Sequence, residues 1–134
     1  MKRTAVIGAV VGLAIFAAGC AAPGDRIGGT CPPDCDVTIT VTGNCAIAAD
    51  RDPLEVKHPA AIRFNLGTAG YHFPPGGGIA FNNNPRDFAP GAKGPKTEVV
   101  NDSHQTLGYF KYQITVEKDG TNDRCHVDPG VVNN

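Results

Sequence analysis

From Asp36 onward, apolar and polar side chains alternate with a period of two. Val37, Ile39 and Val41 interleave with Thr38, Thr40 and Thr42, which predicts a half-buried strand with a polar outer face. Leu54-Glu55-Val56-Lys57 alternates in the same way, and Ala61 to Leu66 places Ile62, Phe64 and Leu66 on one side. Gly78-Ile79-Ala80-Phe81 and Glu98-Val99-Val100 are shorter strand candidates. The longest run is Tyr109 to Lys118, with Phe110, Tyr112, Ile114 and Val116 directed inward and Lys111, Gln113, Thr115 and Glu117 toward water. Asp119-Gly120 then supplies a turn. Between the runs lie loops dense in Gly, Pro and Asn: Phe73 to Gly78, Asn82 to Pro85, and Ala89 to Pro95. No helical period of useful length follows Cys20. Six or seven short strands with such turns predict an all-β fold, an antiparallel β-sandwich.

The amino-terminal pattern is of another kind. Lys2 and Arg3 precede an uncharged apolar run from Ala5 to Ala18, 14 residues long. A helix spanning a bilayer needs about 20 residues, whereas a secretory signal needs fewer. Small residues at Ala17, Ala18 and Gly19 suit an extended backbone in a peptidase cleft, and a thiol, Cys20, follows at once. Ala17-Ala18-Gly19-Cys20 resembles the lipobox of bacterial lipoproteins, with Ala17 where that family most often has Leu. The resemblance implies alkylation of Cys20 by diacylglycerol, cleavage before it, and further acylation such as palmitate. A thioether requires a sulfur nucleophile, and several chains at about 0.8 kcal/mol per buried methylene anchor a protein stably. Ala21 is not the aspartate associated with inner-membrane retention. The expected location is therefore the cell envelope, at the outer membrane facing the periplasm if the cell is Gram-negative.

Three segments follow from this reading: residues 1–19 as a removed signal, 20–36 as a lipid-anchored Pro/Gly-rich tether, and 37–134 as the sandwich domain. Loss of residues 1–19 removes Lys2 and Arg3 and leaves ten basic against thirteen acidic side chains, a net charge of −3. No basic cluster remains to track phosphates, so nucleic acid is not an expected partner. The membrane, through the anchor, and an envelope protein of unknown kind are.

Beyond Cys20 stand Cys31, Cys35, Cys45 and Cys125. An even number in an exported domain predicts two disulfides, and four cysteines allow three pairings. Cys31 with Cys35 closes a small local loop, and Cys45 with Cys125 then ties the start of the domain to its end. The competing use of these thiols is a metal site.

The order of elements also resembles a cupredoxin domain, a Greek-key sandwich. Leu54-Glu55-Val56, Ala61-Ile62-Arg63-Phe64, a Gly-rich turn and Tyr71-His72-Phe73 look like its middle, and Gly108 to Val116 looks like its last strand. Small exported cupredoxin-like proteins of unassigned function also end in a Tyr-x-Tyr strand and an Asp-Pro segment, here Asp128 to Asn134. In a blue-copper centre two imidazoles and a thiolate surround the metal, usually with a thioether. His72 and His104 fall near the two histidine positions. The loop Asn101 to Gly108 has no cysteine, however, and the one methionine is Met1. A blue-copper electron carrier is therefore excluded by residue type. What the resemblance leaves is a Cu(II)- or Zn(II)-handling site built on His72 and His104, with Asp102 as a candidate third ligand. The plainer expectation is that both are loop histidines and that no cofactor is bound. Cys125-His126 has adjacent side chains on opposite faces of an extended chain, so a disulfide with a solvated histidine is expected there. His58, before Pro59, has no assigned role.

No residue set forms a defensible catalytic group. Ser103, the single serine, is merely adjacent to His104. Asp50 and Asp52 flank Arg51 in a turn, and Gly76-Gly77-Gly78 lacks the lysine and the strand–loop–helix setting of a phosphate loop. The sequence thus favours a lipid-anchored binding or accessory module, not an enzyme. Tyr71 and Phe73, beside Pro74-Pro75, are expected to cap the end of the core; a contact patch is the alternative.

Overall fold

The computed structural model describes residues 30–31, 34–83 and 86–134, so Cys20, the signal and most of the expected tether lie outside the described residues. No helix among the described residues is long and apolar enough to cross a membrane. All the regular structure described is β.

One layer is a five-stranded sheet. Its centre is β2 (Asp34–Thr42), β5 (Ala60–Leu66) and β9 (Thr97–Asp102), with β3 (Ala46–Ala49) and β8 (Phe88–Lys93) at its edges. The other layer consists of two shorter sheets. One has the order β1 (Thr30–Cys31), β4 (Leu54–Val56), β13 (Gly130–Asn133), β10 (Gly108–Lys111). The second has the order β12 (Arg124–Val127), β11 (Gln113–Lys118), β6 (Tyr71–His72), and β7 (Ile79–Ala80) also pairs with β11. The predicted run from Tyr109 to Lys118 is present, broken at Tyr112, where its amide donates to Pro129 O at 3.0 Å. It therefore belongs to one sheet through β10 and to the next through β11.

The inward faces match the alternation. Val37, Ile39, Ile62, Phe64, Leu54, Val56, Ile114, Val116 and Val131 share one buried cluster, and Phe64 meets Tyr112 at a ring-centroid distance of 5.3 Å. Each such side chain removed from water is worth roughly 1.5–3 kcal/mol, which fixes the strand register, since a one-residue slip would turn the whole set outward.

Three expectations change. The sheets are mixed, not purely antiparallel: β2 runs parallel to β5, and β4 runs parallel to both β1 and β13. Between β2 and β5 the chain leaves the five-stranded sheet to form β4 in the other layer, the crossover that parallel neighbours require. β1 and the start of β2 lie inside residues 20–36, the segment expected to be tether, where the Cys31–Cys35 disulfide (Cα–Cα 5.1 Å) draws β1 toward β2 while β1 pairs with β4. The final strand is not the one through Val116, since β12 and β13 follow it and are laddered to β11 and β10. Cys45 joins Cys125 (Cα–Cα 5.4 Å), tying the turn between β2 and β3 to β12 and hence one layer to the other.

A candidate cleft beside His72

The loop after β6 and the loop between β8 and β9 face one another across a cleft of about 300 Å³. It is lined by His72, Phe73, Pro74, Pro75, Lys93, Gly94 and Pro95. Local chemistry holds both walls. Phe73 is a buried core residue, as the capping reading expected, and its amide donates to Pro95 O at 2.8 Å, fastening one loop to the other. Each loop also closes on itself, through Gly77 N to Pro74 O and Gly94 N to Thr97 O, both 2.8 Å. The ammonium of Lys96 donates to Tyr71 O. Glu98, buried on β9, accepts the amides of Gly78 at 2.5 Å and Ile79 at 3.1 Å. Position 78 must be glycine: a Cβ there would stand 2.4 Å from Phe73 Cδ1 and 2.5 Å from Thr115 O. Prolines with fixed φ and doubly anchored turns give a preformed cleft, and ordering it on binding costs little.

His72 lies at the mouth with both ring nitrogens engaged. Nδ1 is 2.6 Å from Asp119 Oδ1 and Nε2 is 3.1 Å from Glu117 Oε2. Glu117 in turn accepts from Arg124, Nε at 2.7 Å and Nη2 at 2.6 Å. The hydrogen bond to Asp119 is the main cause that raises the His72 pKa above its ordinary value; Glu117 adds to it and partial burial opposes it. An imidazolium donating to two carboxylates has no lone pair to offer a metal.

His104 lies at the other end of the molecule. β9 runs from Thr97, beside the cleft, to Asp102, next to the His104 loop, and its six residues span roughly 17–20 Å. The His104 amide donates to Asp102 Oδ1 at 2.8 Å in a short turn with φ of 54°, and its Nε2 is 3.0 Å from Val56 O. His72 and His104 do not converge, so the structure forms no joint Cu(II) or Zn(II) site from them. Asp102 caps the loop backbone and also accepts from Asn133 Nδ2 at 3.3 Å. Among the described residues no group of three or more His, Cys, Asp or Glu is placed to hold a metal ion. All four cysteines in the described region are disulfide-bonded. Cys125 is buried while His126 is exposed, on opposite faces as the extended chain dictates. Ser103 Oγ donates to Asp87 Oδ1 at 3.3 Å, which removes it from any pairing with the His104 ring.

Sequence reasoning singled out His72, Phe73 and the prolines but missed Glu98, Lys93 and the buried Asp87 and Asn133, and it took Asp102 for a candidate metal ligand where the structure makes it a buried acceptor of loop donors. One signal for the acids was present. Glu98, Val100 and Asp102 share a face at period two, so a buried Val100 carries both acids inward with it.

No family model matches this chain, and no curated protein matches it. Among solved structures, a cysteine protease inhibitor from Entamoeba histolytica aligns with 75% of this chain and 97% of its own, at 12% identity and a TM-score of 0.38. A likeness at that level carries no argument about what this chain does.

Proposed function

We propose that this chain is a lipid-anchored cell-envelope protein whose sandwich serves as a binding or accessory module, with the cleft beside His72 as its contact site. The anchor part of the proposal rests on Ala17-Ala18-Gly19-Cys20 and on the apolar run before it. The observation that carries the binding part is the doubly fastened cleft. Two turns are joined by Phe73 N to Pro95 O and held from below by Glu98, which presents an apolar surface at the end of a rigid scaffold. A cupredoxin-like strand order is part of the same reading, supported by the parallel pairs β2–β5 and β4–β13 within an all-β sandwich. His72 and His104, at opposite ends, favour no metal-handling role.

Two measurements test the proposal. Cys20→Ser should move the protein from the membrane to the soluble envelope fraction, and identical fractionation of variant and wild type would refute the anchor. A photo-crosslinking side chain at position 75, introduced in cells, should give a discrete adduct that is absent when the same group is placed at the exposed position 57. Equal adduct patterns at both positions would refute the cleft as the contact site.

A further inference from the structure

The cleft beside His72 does not end at Lys93. The same lysine lines a second cleft of about 250 Å³, whose other walls are Ile79, Ala80, Phe81, Phe88, Pro90 and Val100. The two together make a groove along the seam where the layers meet at β7 and β8. Both strands are edges here: among the described residues β7 pairs with β11 alone and β8 with β9 alone. We infer that this groove is the docking site for an extended segment of a partner protein in which an acidic side chain is flanked by apolar ones. This rests on the binding-module reading above and names the class of partner.

Three observations carry it. Apart from His72 the walls on both sides of Lys93 are apolar, and an extended chain places alternate side chains on one face, which lets one segment put apolar groups into both clefts with a charged one between them. At the junction, Lys93 belongs to none of the ion pairs formed among the described residues. Its ammonium donates to Gly76 O at 3.3 Å, and an ammonium has three donors, so an incoming carboxylate meets a cation already held in place. Finally, neither cleft is enclosed, so a compact ligand in one of them would stay largely in water, whereas an extended segment covers both. Pro90 on β8, and the register shift between Pro90 and Lys93, block a backbone ladder on that edge, so the segment is held through its side chains in the two clefts and not as an added strand.

The test uses the full chain purified in detergent and two short fluorescent peptides. Both alternate valine and serine; one has a central glutamate and its twin a central lysine. In anisotropy titrations the glutamate peptide is expected to bind about tenfold or more tightly than its twin. Lys93→Glu should reverse that order, and Lys93→Met should abolish the preference without reversing it. Equal affinity of the twins, or a preference unchanged in both Lys93 variants, overturns the inference. So does benzoate bound at these residues while neither peptide binds, which would indicate a small-carboxylate site. If the position-75 crosslink of the preceding test persists while the peptides fail to discriminate, the acidic segment falls and the binding module stands.

Discussion

Glu98 is the residue on which the cleft most depends, and its replacement has a calculable cost. The residue is 2% exposed, and its carboxylate accepts two backbone donors, from Gly78 and Ile79, at the entry to β7. A hydrogen bond to a charged acceptor contributes about 1.5–3 kcal/mol, and a buried amide left without a partner loses about 1–3 kcal/mol. Glu98→Ala removes both acceptors at once. Water reaching the emptied site will satisfy part of the deficit, so the expected loss is about 3–4 kcal/mol, near the low end of the two bonds added together. Such a loss corresponds to a fall in Tm of roughly 10–20 °C for a domain of this length. Glu98→Gln keeps one acceptor but turns an amide nitrogen toward the other donor, so it should lose about half as much. Urea unfolding of the three proteins gives the energies, and native-state hydrogen exchange gives their location. The amides of Gly78 and Ile79 should be protected in wild type and should exchange at least about tenfold faster in Glu98→Ala, ahead of β11, the strand with which β7 pairs. A cost below about 1 kcal/mol, or unchanged exchange at these two amides, would refute the assignment of Glu98 as the tie between β9 and the cleft loop.

The two disulfides should differ in worth. Cys45 and Cys125 are 80 residues apart, and closing a loop of that length is worth about 4–5 kcal/mol on chain entropy, against about 2 kcal/mol for Cys31 and Cys35, four apart. Urea midpoints of the two double Cys→Ala variants should fall in that order, and the reverse order would contradict it. His72 should titrate above its ordinary pKa of 6.5 in an NMR pH series, and Asp119→Asn should lower its midpoint. Because the folded pKa is raised, the stability that His72 contributes is fully present below about pH 6.5 and is lost as pH rises through the folded value. A midpoint unmoved by Asp119→Asn would show that the contact adds nothing.

The strands that the sequence makes legible are those whose inward residues are large and apolar. Val37, Ile39 and Val41, then Ile62, Phe64 and Leu66, then Tyr112, Ile114 and Val116 announce their face because hydrophobic burial is what sets it. The strands that escape such reading lack this contrast. β3 is made of Ala46, Ile47, Ala48 and Ala49 and lies at a sheet edge, exposed or half-buried. β8 contains Pro90 and Gly91, which read as loop, yet on an edge strand a proline forfeits no ladder bond on its outward side. β13 has only two large apolar residues, Val131 and Val132, and buries Asn133 against Asp102, a pairing visible only once β13 lies beside β10. The cleft was half legible for the same reason. Phe73 and the prolines stand out by type, whereas Lys93 and Glu98 matter through what the fold sets against them.

β9 connects these findings. Its inward face carries Glu98, Val100 and Asp102, an apolar centre with a carboxylate at each end. Such placement is costly unless each acid has donors, and loops are where spare backbone amides are found. Glu98 takes Gly78 and Ile79 at one end of the strand, and Asp102 takes His104 and the Asn133 amide at the other. Burial raises the Asp102 pKa and Asp87 adds to the rise, while the hydrogen bonds to His104 and Asn133 oppose it. One strand therefore organises the loops at both ends of the sandwich through buried acceptors. The two ends are unlike in what they offer outward. At the Asp102 end the His104 ring bonds Val56 O and Asp87 holds Ser103 and Thr106, while Asp102 Oδ2 and Asn133 Oδ1 are buried without a hydrogen-bond partner among the described residues. At the Glu98 end the carboxylate is spent on the loop backbone, and Pro75, Lys93 and Pro95 face outward. The His104 end also exposes Leu107, so the reason to look for a partner at the His72 end is the fastened cleft with Lys93 at its junction, not a difference in how fully the polar groups are satisfied.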